Sequence, residues 1–395
     1  MNIGIDSRAL LGPTKTGVGE YAIELIKAIL AADSVNRYFI FSNAHASTPI
    51  NQIFTQKNVT LTDFHYPNKF FNLAIATTGH PRLDNLITKK YHEPIDCWFS
   101  PHLNFTSLSP QTPHILTVHD LSFKLFPEFF TLRQRLWHWA VKPRAQTKRA
   151  IHIIVPSANT KNDLIERYHL PPEKISIINP GHGSAFDDQN NFSVEKIHKL
   201  KNKYELPDEF ILFLGSIEPR KNITGLIKAF EIVSQTLPNL WLIIAGAGGW
   251  KNQTIYERAT CSPVAKKIKF IGWVKDEEKP ALYRIASLFV YPSLYEGFGF
   301  PVLEAMSVGT ATITSNRSSL PEVAGGGALL VNPINSADIA EKIILLQKNP
   351  ELKNRLKKAG QIQAQKFSWD NSAKQWLKII ERFKDEQTKT KPIQS

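Results

Sequence analysis

Cysteine is nearly absent: 395 residues contain only Cys97 and Cys261. The two stand far apart, without partners at metal-ligand spacing, which excludes a disulfide framework and a cysteine-based zinc site. Long apolar runs are missing too. No stretch approaches the roughly eighteen consecutive apolar residues that a membrane-spanning helix needs. The chain opens directly as a strand, Met1-Asn2-Ile3-Gly4-Ile5-Asp6, without a secretory leader, so a cytoplasmic location is expected. Neither zinc-finger spacing nor an RNA-binding aromatic signature occurs, and the basic residues are spread out, which disfavours nucleic acid as a partner.

What is present is an apolar, basic chain. A hydrophobic content of 42% over this length exceeds one ordinary core and implies two domains. The formal charge of +13 admits an anionic membrane surface or a phosphorylated substrate. The densest basic cluster, Arg133, Arg135, Lys142, Arg144, Lys148 and Arg149, is interleaved with Trp137 and Trp139. Two readings fit it: an interfacial helix on anionic lipid, or a solvated helix whose tryptophans face the core, interrupted at Pro143. The second is slightly favoured, and peripheral membrane contact stays open.

Strand-like runs alternate with helical ones throughout. Strands are expected at Asn2–Ile5, Arg37–Ser42, Val59–Thr62, Cys97–Ser100, His114–Val118, Ile151–Pro156 and Ile175–Ile178, with helices between them at Tyr21–Ala32 and, after a Ser157 start signal, Asn159–Tyr168. A polar stretch from Asn179 to about Glu205 reads as irregular. The alternation then restarts with Phe210–Leu214, Leu240–Ala245, Ile268–Ile271, Leu288–Tyr291 and Thr310–Thr314. The pattern is α/β, with two doubly wound, Rossmann-like domains. Their strand-end loops would line a cleft.

Four loops carry candidate chemistry. In Tyr295-Glu296-Gly297-Phe298-Gly299-Phe300-Pro301-Val302-Leu303-Glu304, glycines let the backbone approach a ligand, Pro301 suits the first helical position, and the N–H groups of the first turn attract phosphate. Glu304 points back along the helix towards Glu296, so one ligand could touch both, although such turns also simply join strand to helix. Gly215-Ser216-Ile217-Glu218-Pro219-Arg220-Lys221-Asn222 follows a strand and offers a planar fork beside a point charge, a pairing suited to a diphosphate. Thr16-Gly17-Val18-Gly19-Glu20-Tyr21 precedes a helix. Gly17 and Gly19 allow close approach to a ligand, or mark a plain turn, and the missing third glycine counts against a dinucleotide fingerprint. His119-Asp120 ends a strand, and His119 either binds a sugar hydroxyl, with Asp120 setting its tautomer, or is merely packed.

In this order, these loops together with Ile154-Val155-Pro156-Ser157 and Gly272-Trp273-Val274 resemble the retaining GT-B glycosyltransferases of family 4. The likeness covers nearly the whole chain. His119 to Phe123 with Phe126-Pro127-Glu128, and Ser315 to Val323, are similar to bacterial mannosyltransferases of surface-polysaccharide assembly. The resemblance implies that Arg220 and Lys221 neutralise the donor diphosphate. Backbone groups of Phe298, Gly299 and Phe300 would bind the distal phosphate and sugar, Glu296 the sugar hydroxyls, Glu304 the ribose, the backbone near Val274 the base, and His119 the primary-hydroxyl side. Many relatives carry arginine where Ser216 stands, which shifts weight onto Arg220 and Lys221.

No cofactor or metal is expected; the nucleotide sugar is a substrate, GDP-mannose favoured and UDP-sugars the alternative, with a glycan or lipid-linked acceptor. The implied route is front-face transfer without a carboxylate nucleophile. Expected boundaries are 1–185 for the acceptor domain, 186–367 for the donor domain and 388–395 for a disordered tail. The helix about 369–384, with Trp376, Leu377, Ile380 and Phe383 as its stripe, would return to the first domain, and closure would hinge near Pro180 and Phe367. Three other classes compete: a GT-B sugar-nucleotide epimerase, a dinucleotide oxidoreductase and a non-catalytic binding module.

Overall fold

The computed structural model describes residues 1–10, 17–43, 53–187 and 192–390, the last five without side chains. Thr16 and positions 391–395 of the expected tail lie outside the described residues.

The chain divides into two compact units. The first comprises Met1–His119, Leu136–Gly181 and the segment from Ser368, and the second Asp120–Arg135 and His182–Phe367. In the first, β1 (Asn2–Asp6), β2 (Arg37–Asn43), β3 (Val59–Phe64), β4 (Cys97–Ser100), β5 (His114–Thr117), β6 (His152–Val155) and β7 (Ile175–Ile177) form a sheet ordered β3-β2-β1-β4-β5-β6-β7. In the second, β8 (Phe210–Leu214), β9 (Trp241–Ala245), β10 (Ile268–Gly272), β11 (Leu288–Tyr291), β12 (Thr312–Ser315) and β13 (Ala328–Val331) are ordered β10-β9-β8-β11-β12-β13. Every pairing among the described strands is parallel. Helices cover both faces of such a sheet, so its strands read as unbroken apolar runs; all five residues of β8 are buried.

The strand order reverses between β1 and β4, and again between β8 and β11. At such a switch point, neighbouring strands send their connections to opposite sides and open a crevice at their carboxyl ends. The four loops singled out above follow β1, β5, β8 and β11.

Several expectations need correction. The stretch expected to be irregular contains the helix Val194–Tyr204, capped by Ser193 Oγ on the Lys196 N–H and anchored by buried Leu200. A sixth strand, β13, follows Gly325-Gly326-Gly327, and was missed. The domain boundary falls at 181/182, not 185/186, because His182 packs on the Phe186 ring, which itself packs on Tyr283 in the second core. Residues 120–135 join that unit as well: Phe126 packs on Tyr295, and the Trp250 indole donates to the Phe129 carbonyl. Pro143 does break the basic helix, into Leu132–Val141 and Pro143–Arg149, with Lys142 left-handed between them. Its tryptophans, however, do not fill a core, since Trp139 is 78% exposed.

The C-terminal helix, Trp369–Thr390, lies against Gly17–Ala32 in the first unit. It buries Ala373, Trp376, Ile379 and Ile380, with Trp376 edge-on to Phe99; Leu377 and Phe383 are only half buried. Residues 388–390 are helical where a tail is expected.

Candidate functional site

The loops after β8 and β11 meet at the switch point of the second sheet. Pro219–Lys221 forms a single 3-10 turn, which ends at left-handed Asn222. The Asn222 amide then donates to the carbonyls of Pro292 and Pro333, tying the two loops together. This fixes Arg220 and Lys221 opposite Glu296. The Glu296 carboxylate accepts from Arg220 Nη1 at 2.7 Å, Lys221 Nζ at 2.6 Å, the Tyr291 hydroxyl at 2.9 Å and Ser293 Oγ at 2.7 Å. Arg220 also donates from Nη2 and Nε to Glu218 at 2.8 and 3.2 Å, and from Nη1 to the Tyr295 carbonyl.

All these groups are largely buried, so their charges are weakly screened. Burial raises the Glu296 pKa, but the Arg220 and Lys221 charges and the bonds from Lys221 and Ser293 overcome it, leaving the acid at about 2. Burial also lowers Arg220, yet the carboxylates of Glu296 and Glu218 raise it on balance. Lys221 is lowered by burial and by the adjacent guanidinium, against the pull of Glu296. Two cations and two carboxylates therefore share one low-dielectric site, with the cations engaged by carboxylates.

Next to this cluster, Gly299 caps the helix Phe300–Ser307 at φ 117°. A Cβ there would lie 2.6 Å from Leu320 Cδ2, so a side chain is excluded twice over. Ser319 Oγ donates to the carbonyls of Glu296 and Phe298, and the Glu296 N–H donates to Ser318 Oγ, bracing the loop. Phe298 is buried against Phe367 and Phe300. One turn on, Glu304 is buried and accepts from the Tyr283 hydroxyl at 2.8 Å.

Comparison with known proteins places this geometry. The profile described as "Glycosyl transferases group 1" matches residues 195–363, and that described as "Glycosyltransferase Family 4" matches residues 16–182. The chain belongs to the family 4 glycosyltransferases. It is 28% identical to "O-antigen chain mannosyltransferase B" of Escherichia coli, over 92% of this chain and 95% of that protein. It is 29% identical to "Serotype-specific mannosyltransferase WbdA" of Escherichia coli over 94% of this chain, which spans about half (47%) of that relative. Sucrose-phosphate synthase from Thermosynechococcus elongatus matches in fold, with TM-score 0.73 at 18% identity over 98% of this chain and 100% of that one. The architecture is GT-B, with two Rossmann-like domains.

The glycosyltransferase brings Arg220, Lys221 and Glu296 into direct contact. The other expected site residues are distributed differently. The Gly215 N–H is spent on the Ala245 carbonyl, and its own carbonyl lies 1.8 Å from where a Gly246 Cβ would stand; the glycine pair thus serves close packing of the β8 and β9 ends. Ser216 follows, half buried, and Val274 is buried just past β10. In the first unit, Gly17 and Gly19 fall within the first turn of the helix Gly17–Ala32, not in a loop before it. His119 lies in the first unit and donates from Nε2 to the Pro101 carbonyl at 2.9 Å, with Tyr21 edge-on at 4.7 Å. That bond places a proton on Nε2; Asp120 Oδ1 accepts from the backbone and hydroxyl of Ser122.

Sequence reasoning did not assign roles to Glu218, Tyr291, Ser293, Ser319 or Tyr283 in the glycosyltransferase. Glu218 did stand inside a quoted motif, where its place before Arg220 was the available signal.

Proposed function

We propose that this glycosyltransferase moves mannose from GDP-mannose to a glycan or lipid-linked glycan in surface-polysaccharide assembly, with retention of configuration and without a metal ion. The observation that carries the reading is the buried Arg220–Lys221–Glu296 cluster at the switch point. Arg220 and Lys221 are suited to stabilise the diphosphate charge that develops as the sugar leaves. Backbone groups of Phe298, Gly299 and Phe300 would meet the distal phosphate and sugar, Glu304 the ribose, and the backbone at Val274 the base. Gly17 and Gly19 are proposed as donor-binding glycines, and His119 as a partner of the sugar's primary-hydroxyl side.

A carboxylate that accepts four hydrogen bonds and whose pKa is held at about 2 is a weak base and a weak nucleophile. That favours Glu296 as a sugar-hydroxyl acceptor over a covalent catalyst. The acceptor hydroxyl then attacks from the face on which the nucleotide departs, and the leaving phosphate takes its proton. The relatives named as mannosyltransferases support mannose; GDP-mannose is the favoured donor and a UDP-sugar the alternative.

Membrane contact fits a lipid-linked acceptor. Leu132, Leu136 and Trp139 are all exposed and fall at i, i+4 and i+7 on one helix, flanked by Arg133 and Arg135. Co-sedimentation with phosphatidylglycerol vesicles should be strong for the wild type and weak for Trp139→Ser. Equal sedimentation would remove this element.

The function itself is tested by incubating the protein, with EDTA present, with GDP-mannose and a pyrophosphate-linked oligosaccharide lipid. One hexose should be added, in the donor's anomeric configuration. Transfer from UDP-sugars alone, inversion, or dependence on added metal would each overturn the corresponding part.

A further inference from the structure

The first unit holds a second polar recess, unrelated to the loops described above. It opens beside β7, the edge strand of the seven-stranded sheet, between the helices Ala158–Tyr168 and Trp369–Thr390. Its volume is about 350 Å³, its floor is Ile175–Ile178, and Lys161, Lys378 and Arg382 line it. Among the described residues, no carboxylate lines it. Lys161 Nζ is fixed to the floor by a 2.9 Å bond to the Ile175 carbonyl, while Lys378 and Arg382 stand one turn apart on the C-terminal helix, a like-charge spacing that by itself disfavours the helix.

His152 on β6 reports the field these groups make. Its Nε2 is bonded to Ser176 Oγ of β7 at 2.8 Å, and its ring meets Phe383 of the C-terminal helix. Burial lowers its pKa first; the charges of Arg382, Lys161 and Lys174 lower it further, to about 4. Cations from three elements thus converge on one imidazole. An anion in the recess would cancel that convergence.

We propose that the recess is a binding site for a phosphate or pyrophosphate group, borne either by a soluble phosphorylated sugar or by a lipid headgroup. The site is independent of the donor cluster, which lies in the other unit. Three cations of different reach, one held to a strand edge and two along a helix, suit a dianion with several oxygens.

The test follows the His152 imidazole by NMR in the full chain while inorganic pyrophosphate is added. A saturable shift is expected, with the His152 pKa moving up as the cations are neutralised. Lys378→Gln with Arg382→Gln, both exposed positions, should lose the shift while melting at the wild-type temperature; Lys378→Glu with Arg382→Glu should do so more completely. Displacement of pyrophosphate by phosphatidylglycerol vesicles, but not phosphatidylcholine vesicles, would assign the lipid source; no displacement would assign the soluble one. A shift reproduced by equal ionic strength of sodium chloride, or one unchanged in both double variants, would overturn the proposal. Because His152 reports on the first unit, failure here leaves nucleotide binding at Arg220 and Lys221 untouched.

Discussion

At the scale of single residues, Glu296 concentrates the chemistry. Its folded-state pKa of about 2 lies below the ordinary 4.5, so its ionised form contributes stability that is fully present above pH 4.5 and lost as pH falls towards 2. Glu296→Gln removes the partner of two buried cations and should cost about 3–5 kcal/mol at pH 7. The difference in melting temperature between wild type and variant should then narrow between pH 4.5 and 2, and a constant difference would contradict the assignment. In turnover, Glu296→Gln should lower kcat by about 10²–10³-fold, the size of a lost transition-state hydrogen bond, without abolishing transfer. Mass spectrometry should find no glycosyl-Glu296 species. Arg220, Lys221 and Glu296 were each legible in the sequence, because charged residues after apolar strands are visible there. Their contact was not: Lys221 and Glu296 stand 75 positions apart, and only the adjacency of β8 and β11 joins them. The same holds for Tyr291, which points from the end of a buried strand into the site, and for the Pro101 carbonyl that accepts from His119 Nε2.

At the scale of elements, the Gly299 turn is the most constrained piece of the site. Gly299→Ala puts a Cβ against Leu320 and into a left-handed backbone, which should cost about 1–3 kcal/mol. Urea unfolding measures that cost. Donor affinity should fall together with stability, because the first turn of Phe300–Ser307 would shift. Twelve of the thirteen strands among the described residues were readable, most of them as apolar runs that punctuation residues bound. The strand β13 was not: Ala328–Val331 is apolar but only four residues long, and the three glycines before it read as a loop. The helix Val194–Tyr204 was hidden by its charge, as one buried leucine is a faint periodic signal among lysines. Gly17 and Gly19 misled in the other direction, because glycine pairs suggest a loop whether or not the helix already runs through them.

At the scale of the whole molecule, a two-Rossmann-domain architecture followed from alternation and length, but the assignment of segments to units did not. The C-terminal helix buries Trp376 against Phe99, so Trp376→Ala should destabilise by about 3–5 kcal/mol through the cavity it leaves. Thermal unfolding should show that loss in the transition of the first unit. The recruitment of residues 120–135 by the second unit was illegible, since it depends on where Phe126 and Phe129 find partners rather than on local propensity.

The most direct measurement is a thermal-shift panel of GDP, UDP, ADP, GDP-mannose, UDP-glucose, UDP-GlcNAc and NAD on the wild type and on Arg220→Ala. A ligand that binds only the folded protein stabilises it by about 2.7 kcal/mol at one hundred times its Kd. The expected result is stabilisation by GDP and GDP-mannose that the variant loses. Stabilisation by NAD alone, or nucleotide binding indifferent to Arg220, would contradict the account.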